Sequence, residues 1–226
     1  MPALTPEART TAQILLEIGA VLFSPAEPFT FTSGRRSPVY VDCRAVMSYP
    51  RARGKLMELG RDAIEAGAGH ACFDAVAGGE TAGIPFAAWL AERLELPMVY
   101  VRKKPKGFGR DARIEGHLQP GARVLLVEDL ATDGGSKAGF VDALHEAGAQ
   151  VNHAFVLFHY GIFPGSTRVL DARGVQLHAL ATWWDTVAVA EELGYLDEQG
   201  LGTVRDFLNA PDAWSAAHGG PGPDGG

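Results

Sequence analysis

The sequence predicts an α/β fold, a central parallel sheet flanked by helices, and three observations carry that expectation. Short apolar runs recur at residues 73–77, 98–101, 124–127 and 151–158, each brief enough and rich enough in β-branched or aromatic residues for a buried strand. Helical stripes lie between them: Phe86, Ala87, Leu90 and Leu94 share one face of residues 84–94, and Phe140, Val141 and Leu144 share one face of 138–147. The strand-to-helix joins are Gly-, Ser- and Thr-rich, as at residues 78–83 and 132–136. Strands alternating with helices of this length imply parallel pairing through right-handed crossovers.

The elements follow in chain order. Thr5 reads as a helix N-cap with Pro6 at the first helical position. An apolar stripe of Ile14, Leu15, Ile18, Val21 and Leu22 follows. Residues 29–32 alternate and break at Ser33-Gly34, residues 39–41 read as a strand, and 50–66 as a long amphipathic helix. After the strand at 98–101 comes a polar loop, 105–116. Residues 177–181 suggest a late strand, and 187–193 and 201–208 suggest helices. Residues 219–226 are almost all Gly and Pro, with nothing to bury, and are expected to be disordered.

Composition narrows the function classes. A chain of 226 residues with 46% hydrophobic residues supports one large α/β core with appendages. No apolar run approaches a membrane span, and residues 1–7 lack the pattern of a secretory signal. The two cysteines, Cys43 and Cys72, are too few for a disulfide framework and are not spaced as a zinc site, so a cytoplasmic setting is expected. A net charge of −7 argues against general nucleic-acid binding but not against an anionic small ligand.

The most informative segment is 124–137. An apolar run leads into Glu128 and Asp129, then Leu130-Ala131-Thr132-Asp133-Gly134-Gly135-Ser136, then a helix. Ligands of open α/β sheets sit at the carboxyl ends of strands, and a Gly-rich turn entering a helix offers backbone N–H groups to a phosphate. Two acids beside a phosphate repel it unless the ligand also presents hydroxyls or a bridging Mg²⁺; a phosphorylated ribose carrying a diphosphate presents both. A second small-residue turn, Gly78-Gly79-Glu80-Thr81-Ala82-Gly83, suits another phosphate. Arg102, Lys103, Lys104, Lys106, Arg110 and Arg113 place six of the 20 Lys and Arg within twelve residues. Gly107 and Gly109 make that segment pliable, as suits a cationic lid over a multiply charged anion.

Residues 124–136 resemble the phosphoribosyl-diphosphate (PRPP) motif of type I phosphoribosyltransferases. Residues 31–42 (Phe-Thr-Ser-Gly-Arg-Arg-Ser-Pro-Val-Tyr-Val-Asp) resemble the hood motif of the orotate phosphoribosyltransferase family, and residues 100–107 resemble its catalytic loop. Residues 194–197 and 207–214 are similar to its C-terminal ending, so the resemblance spans roughly residues 12 to 216. It implies a type I phosphoribosyltransferase-like fold in four parts: an N-terminal helix and hood segment at 1–45, the α/β core at 46–160, a C-terminal hood with helices at 161–216, and a tail at 217–226.

The implied activity joins orotate to PRPP, giving orotidine 5′-monophosphate and diphosphate in pyrimidine synthesis. By the same resemblance Arg102, Lys103 and Lys106 contact the diphosphate, with part of the loop reaching into a partner subunit of a homodimer. Glu128 and Asp129 face the ribose hydroxyls and Mg²⁺; Asp133, Gly134, Gly135 and Ser136 hold the 5′-phosphate; Leu130, Ala131 and Thr132 line the same turn, with Thr132 beside orotate. Arg35 and Tyr40, from the hood motif, complete the substrate-binding set, and no nucleic-acid or membrane partner is implied.

Five positions depart from the family pattern. Phe108 replaces a loop His, Thr32 a hood Lys, and Ala82 a Lys in the second turn. His159-Tyr160 replaces an Asp-Arg whose Arg meets the orotate carboxylate, leaving Arg35, Arg36 or His159 as substitutes. Two other readings stay open at this level: transfer to a different base, and a non-catalytic PRPP sensor. The remaining histidines (His70, His117, His145, His153, His178, His218) lack metal-ligand spacing and read as surface or core residues.

Overall fold

The computed structural model describes residues 3–69, 71–105, 113–132 and 135–221, without the side chains of residues 135 and 136. The chain forms two compact units, Met1–Tyr49 with Tyr160–Pro164 and Ala181–Gly226, and Pro50–His159 with Gly165–Leu180.

The first unit opens with α1 (Pro6–Glu17), capped by the Thr5 side chain, which accepts from the Ala8 N–H. Two ribbons follow. β1 (Val21–Phe23) pairs antiparallel with β4 (Val39–Val41), and β2 (Phe29–Thr30) with β3 (Arg36–Ser37). Val21 and Val41 are buried cross-strand partners, whereas Leu22 faces Tyr40 on the open side. Leu22 therefore leaves the helical stripe it was expected to join: the chain has already turned to strand, and a period of two sends it outward. A 3-10 turn, Cys43–Ser48, closes this part.

Near the C-terminus the first unit adds α6 (Trp183–Glu192), α7 (Glu198–Asn209) and α8 (Pro211–Ala217). α6 starts on a capping box between Thr182 and Asp185. The tail is described as far as Pro221, and the Gly220 N–H donates to the Ser215 carbonyl at 2.9 Å.

The second unit carries α2 (Pro50–Ala68), β5 (Ala75–Gly79), α3 (Gly83–Leu94), β6 (Met98–Val101), β7 (Ile114–Glu115), β8 (Arg123–Ala131), α4 (Gly135–Glu146), β9 (Gln150–His159) and α5 (Arg168–Asp171). β10 (Gln176–Thr182) completes a six-stranded sheet of order β10-β9-β8-β5-β6-β7. β6, β5, β8 and β9 pair parallel, as expected; β7, inside the presumed polar loop, returns antiparallel along β6 and makes the sheet mixed. Central β8 is buried on both faces from Val124 to Val127, which is why it shows no alternation.

The expected stripe of α4 is realised, since Phe140, Val141 and Leu144 pack with Val124, Leu126, Val99 and Val101. Residues 165–180, expected with the C-terminal hood, belong to this unit, because Leu170 and Val175 lie in the same core cluster.

Candidate active site

β8 outlasts its apolar run and carries both acids within the strand, where neighbouring residues face opposite sides. Glu128 is only 8% exposed, and Asp129 is half-buried. The Glu128 carboxylate occupies space left by two glycines. A Cβ on Gly79 or Gly83 would lie well inside contact distance of its Oε1, and one on Gly83 would also strike the Val127 carbonyl. These glycines were expected to serve a phosphate turn. Gly78 and Gly79 instead end β5, and Gly78 lets α3 approach closely, a Cβ there lying 2.8 Å from the Ile84 Cα.

Leu130 and Thr132 are half-buried and Ala131 is buried. Asp133 and Gly134 lie outside the described residues, and α4 begins at Gly135, so Ser136 falls in its first turn. Lys137, which the sequence reading passed over, is 3% exposed. The signal was available: Lys137 precedes Phe140, Val141 and Leu144 by three, four and seven residues, so it falls on their stripe. Its charge and, more strongly, burial hold His159 below the ordinary histidine pKa. His159 pairs in register with Ala131, and its Nε2 lies 3.0 Å from the Ser166 hydroxyl.

Of the cationic segment, Arg102 to Pro105 and Arg113 are described; Lys106 and Phe108 are not. Lys103 is exposed, and its N–H donates to Glu80 Oε2 at 2.7 Å. The Arg102 guanidinium makes a long 3.5 Å pair with Glu115. β5 and β8 pair directly, so the Glu80 turn and the acidic strand end are neighbours at the carboxyl edge of the sheet.

Arg35 and Tyr40 belong to the other unit. Arg35 donates to Asp212 Oδ1 at 2.6 Å and lies 4.5 Å over the Phe163 ring. Tyr40 is 40% exposed beside Phe29 and Phe31, at 5.8 and 6.1 Å between ring centres. Tyr160 is a core residue, edge-on to Trp183 at 5.6 Å, and burial raises its pKa above the usual tyrosine range.

At the opposite edge of the sheet, Asp74 and Arg123 form a fork at 2.8 and 3.0 Å, and His153 Nδ1 lies 2.9 Å from His178 Nε2. Gly67 makes room for the His178 ring. The sequence reading missed this pair because it joins two strands 25 residues apart. Among the described residues no group of three or more His, Cys, Asp or Glu is arranged to hold a metal ion. Glu128 and Asp129, adjacent carboxylates near the end of β8, are oxygen donors of the kind Mg²⁺ takes.

A phosphoribosyl transferase domain model matches residues 69–175, from before β5 to the end of the α5 region. The chain is 58% identical over 210 residues to an orotate phosphoribosyltransferase of Cereibacter sphaeroides (strain KD131), covering 93% of this chain and 90% of that one. The orotate phosphoribosyltransferase of Aeropyrum pernix superposes with a TM-score of 0.68 at 36% identity, over 82% of this chain and 99% of that one. At 24% identity and a TM-score of 0.61, over 80% of this chain and 99% of that one, the Mycobacterium tuberculosis enzyme in complex with PRPP shares the fold. With this identity across nearly its whole length, the chain belongs to the orotate phosphoribosyltransferase family.

Proposed function

We propose that the protein transfers the phosphoribosyl group of PRPP to orotate, giving orotidine 5′-monophosphate and diphosphate for pyrimidine synthesis. The observation that carries this reading is the pairing of two strand-to-helix turns at adjacent carboxyl ends, one acidic and one tied to a cationic segment. A phosphorylated sugar bearing a diphosphate needs such a pair of sites.

In the reaction the ribose C1–O bond breaks, the electron pair leaves with the diphosphate, and an orotate ring nitrogen bonds to C1 as its N–H proton is lost to solvent. The cations Arg102, Lys103 and Lys106 would stabilise the departing negative charge, and the acids would favour the positive character of the ribose. Glu128 and Asp129 would meet the ribose hydroxyls and Mg²⁺, Asp129 being the more exposed of the two. Mg²⁺ bound there would supply charge neutralisation on the diphosphate. Asp133, Gly134, Gly135 and Ser136 would hold the 5′-phosphate, Thr132 would lie beside orotate, and Arg35 and Tyr40 would contribute to substrate binding.

The proposal extends to a homodimer sharing the loop at residues 102–113 and to a cytoplasmic setting; no helix among the described residues is long and apolar enough to cross a membrane. One observation favours transfer to a different base: His159 and Tyr160 stand where the family pairs Asp with Arg, and Tyr160 is buried. Turnover with PRPP, Mg²⁺ and each of several bases, followed by base absorbance and diphosphate release, decides it. Orotate-specific turnover supports the proposal; turnover with another base alone supports the second reading; no turnover with any refutes both.

A further inference from the structure

We infer that Glu80 and Arg113 are positioning residues that aim the Lys103 ammonium at the diphosphate, an inference resting on the role proposed above for Lys103. Both main-chain polar groups of Lys103 are held by side chains. Its N–H donates to Glu80 Oε2 at 2.7 Å, and its carbonyl accepts from Arg113 Nη2 at 3.4 Å. Arg113 Nε donates to the Arg102 carbonyl at 3.1 Å, and the Arg102 N–H closes the stem on the Arg113 carbonyl at 2.6 Å. Glu80 is itself anchored, its N–H donating to the Val101 carbonyl at 2.9 Å. With the peptide groups on either side of Lys103 pinned, its Cα–Cβ bond has one direction relative to the turn that follows β5.

Charge argues the same way. A carboxylate in a turn suited to a diphosphate repels the ligand, and an arginine at the base of a cationic loop is a natural contact for it. Yet the Glu80 carboxylate engages a backbone N–H, and the Arg113 fork engages two carbonyls. Such charge-assisted bonds are roughly twice as strong as neutral ones. Both residues therefore build the stem, and Lys103, whose own peptide groups they hold, keeps an exposed side chain.

The test is a double-mutant cycle on steady-state turnover. Glu80→Ala is expected to lower kcat by about 10-fold to 100-fold, the cost of a misplacement near 1 Å, with the KM for orotate unchanged. Glu80→Gln, whose amide oxygen accepts the same N–H, is expected to restore most of the rate. Arg113→Lys, which keeps the charge but loses the fork, is expected to behave like Glu80→Ala. In the Lys103→Ala background Glu80→Ala is expected to add nothing, because the group it aims is gone. An equal loss in both backgrounds, or Glu80→Gln as slow as Glu80→Ala, overturns the inference. Should Glu80→Ala fail to fold, Glu80→Asp, which withdraws the carboxylate by one methylene, runs the same cycle. A wild-type rate in Lys103→Ala alone removes the proposed role of Lys103 itself and overturns the inference by that separate route.

Discussion

The two edges of the central sheet use charge in opposite ways. At the amino edge Asp74, just before β5, meets Arg123, the first residue of β8, in a fork reinforced by the Arg123 N–H to Asp74 Oδ2 at 2.9 Å. These two charges satisfy each other and tie together the amino ends of two central strands. At the carboxyl edge of the same strands Glu80 holds a backbone N–H, Glu128 fills a glycine cradle, and Lys137 is buried. Asp129 and Lys103 are left the more exposed. Strand polarity accounts for the contrast: helix N-termini and their unpaired N–H groups follow the carboxyl ends of parallel strands, so that edge is fitted for an anion.

If the contrast is right, mutations at the two edges separate activity from stability. The largest effect is expected from Lys103→Ala, with kcat down by about 10²-fold to 10³-fold, as for other lost transition-state contacts, and the melting temperature unchanged. Kinetics beside a thermal melt check this, and an unaltered kcat refutes the role. Next comes Gly79→Ala, whose methyl collides with the Glu128 carboxylate and the Phe140 ring. A destabilisation of about 1–3 kcal/mol is expected, read by urea unfolding against Gly202→Ala, where nothing lies within 4 Å of the added carbon.

Asp129→Asn is expected to weaken Mg²⁺-dependent PRPP affinity by about tenfold, the loss of roughly one good charged contact, in a calorimetric titration. Unchanged affinity removes Asp129 from the site.

The smallest effects belong to the amino edge. Asp74→Asn is expected to leave turnover untouched. Hydrogen bonds from Arg123 lower the Asp74 pKa from 3.8 to about 2, so its contribution is present above pH 3.8 and is lost as pH falls through about 2. That part of acid unfolding disappears in the variant. Burial lowers His153 and His178 from 6.5. The unfolded chain takes up those protons first, so stability falls as pH drops below 6.5. Replacing both by Gln flattens that segment of a stability-versus-pH curve.

What the sequence made legible follows the same physics. A short continuous apolar run located β8, helical periodicity the α4 stripe, and Thr5 with Pro6 the start of α1, because these depend on neighbours along the chain. β7 is two residues long and has no period to read. The need for glycine at 79 and 83 comes from Glu128 on another strand, and at 78 from the return of α3 onto β5, so a turn reading was natural from local sequence alone. The stem role of Glu80 and Arg113 was hidden for a like reason: the chain shows an acid and a cation, and only their backbone partners reveal the job. Lys137 is different, since its burial could have been read from its stripe.

Hydrogen–deuterium exchange with PRPP and Mg²⁺ bears most directly on where the ligand is held. Protection is expected in peptides covering Gly79 to Gly83 and Leu130 to Lys137, with Asp74 and Arg123 unaffected. Protection confined to the amino edge, or none at a saturating concentration of the sugar diphosphate, would contradict a ligand seated between the two turns.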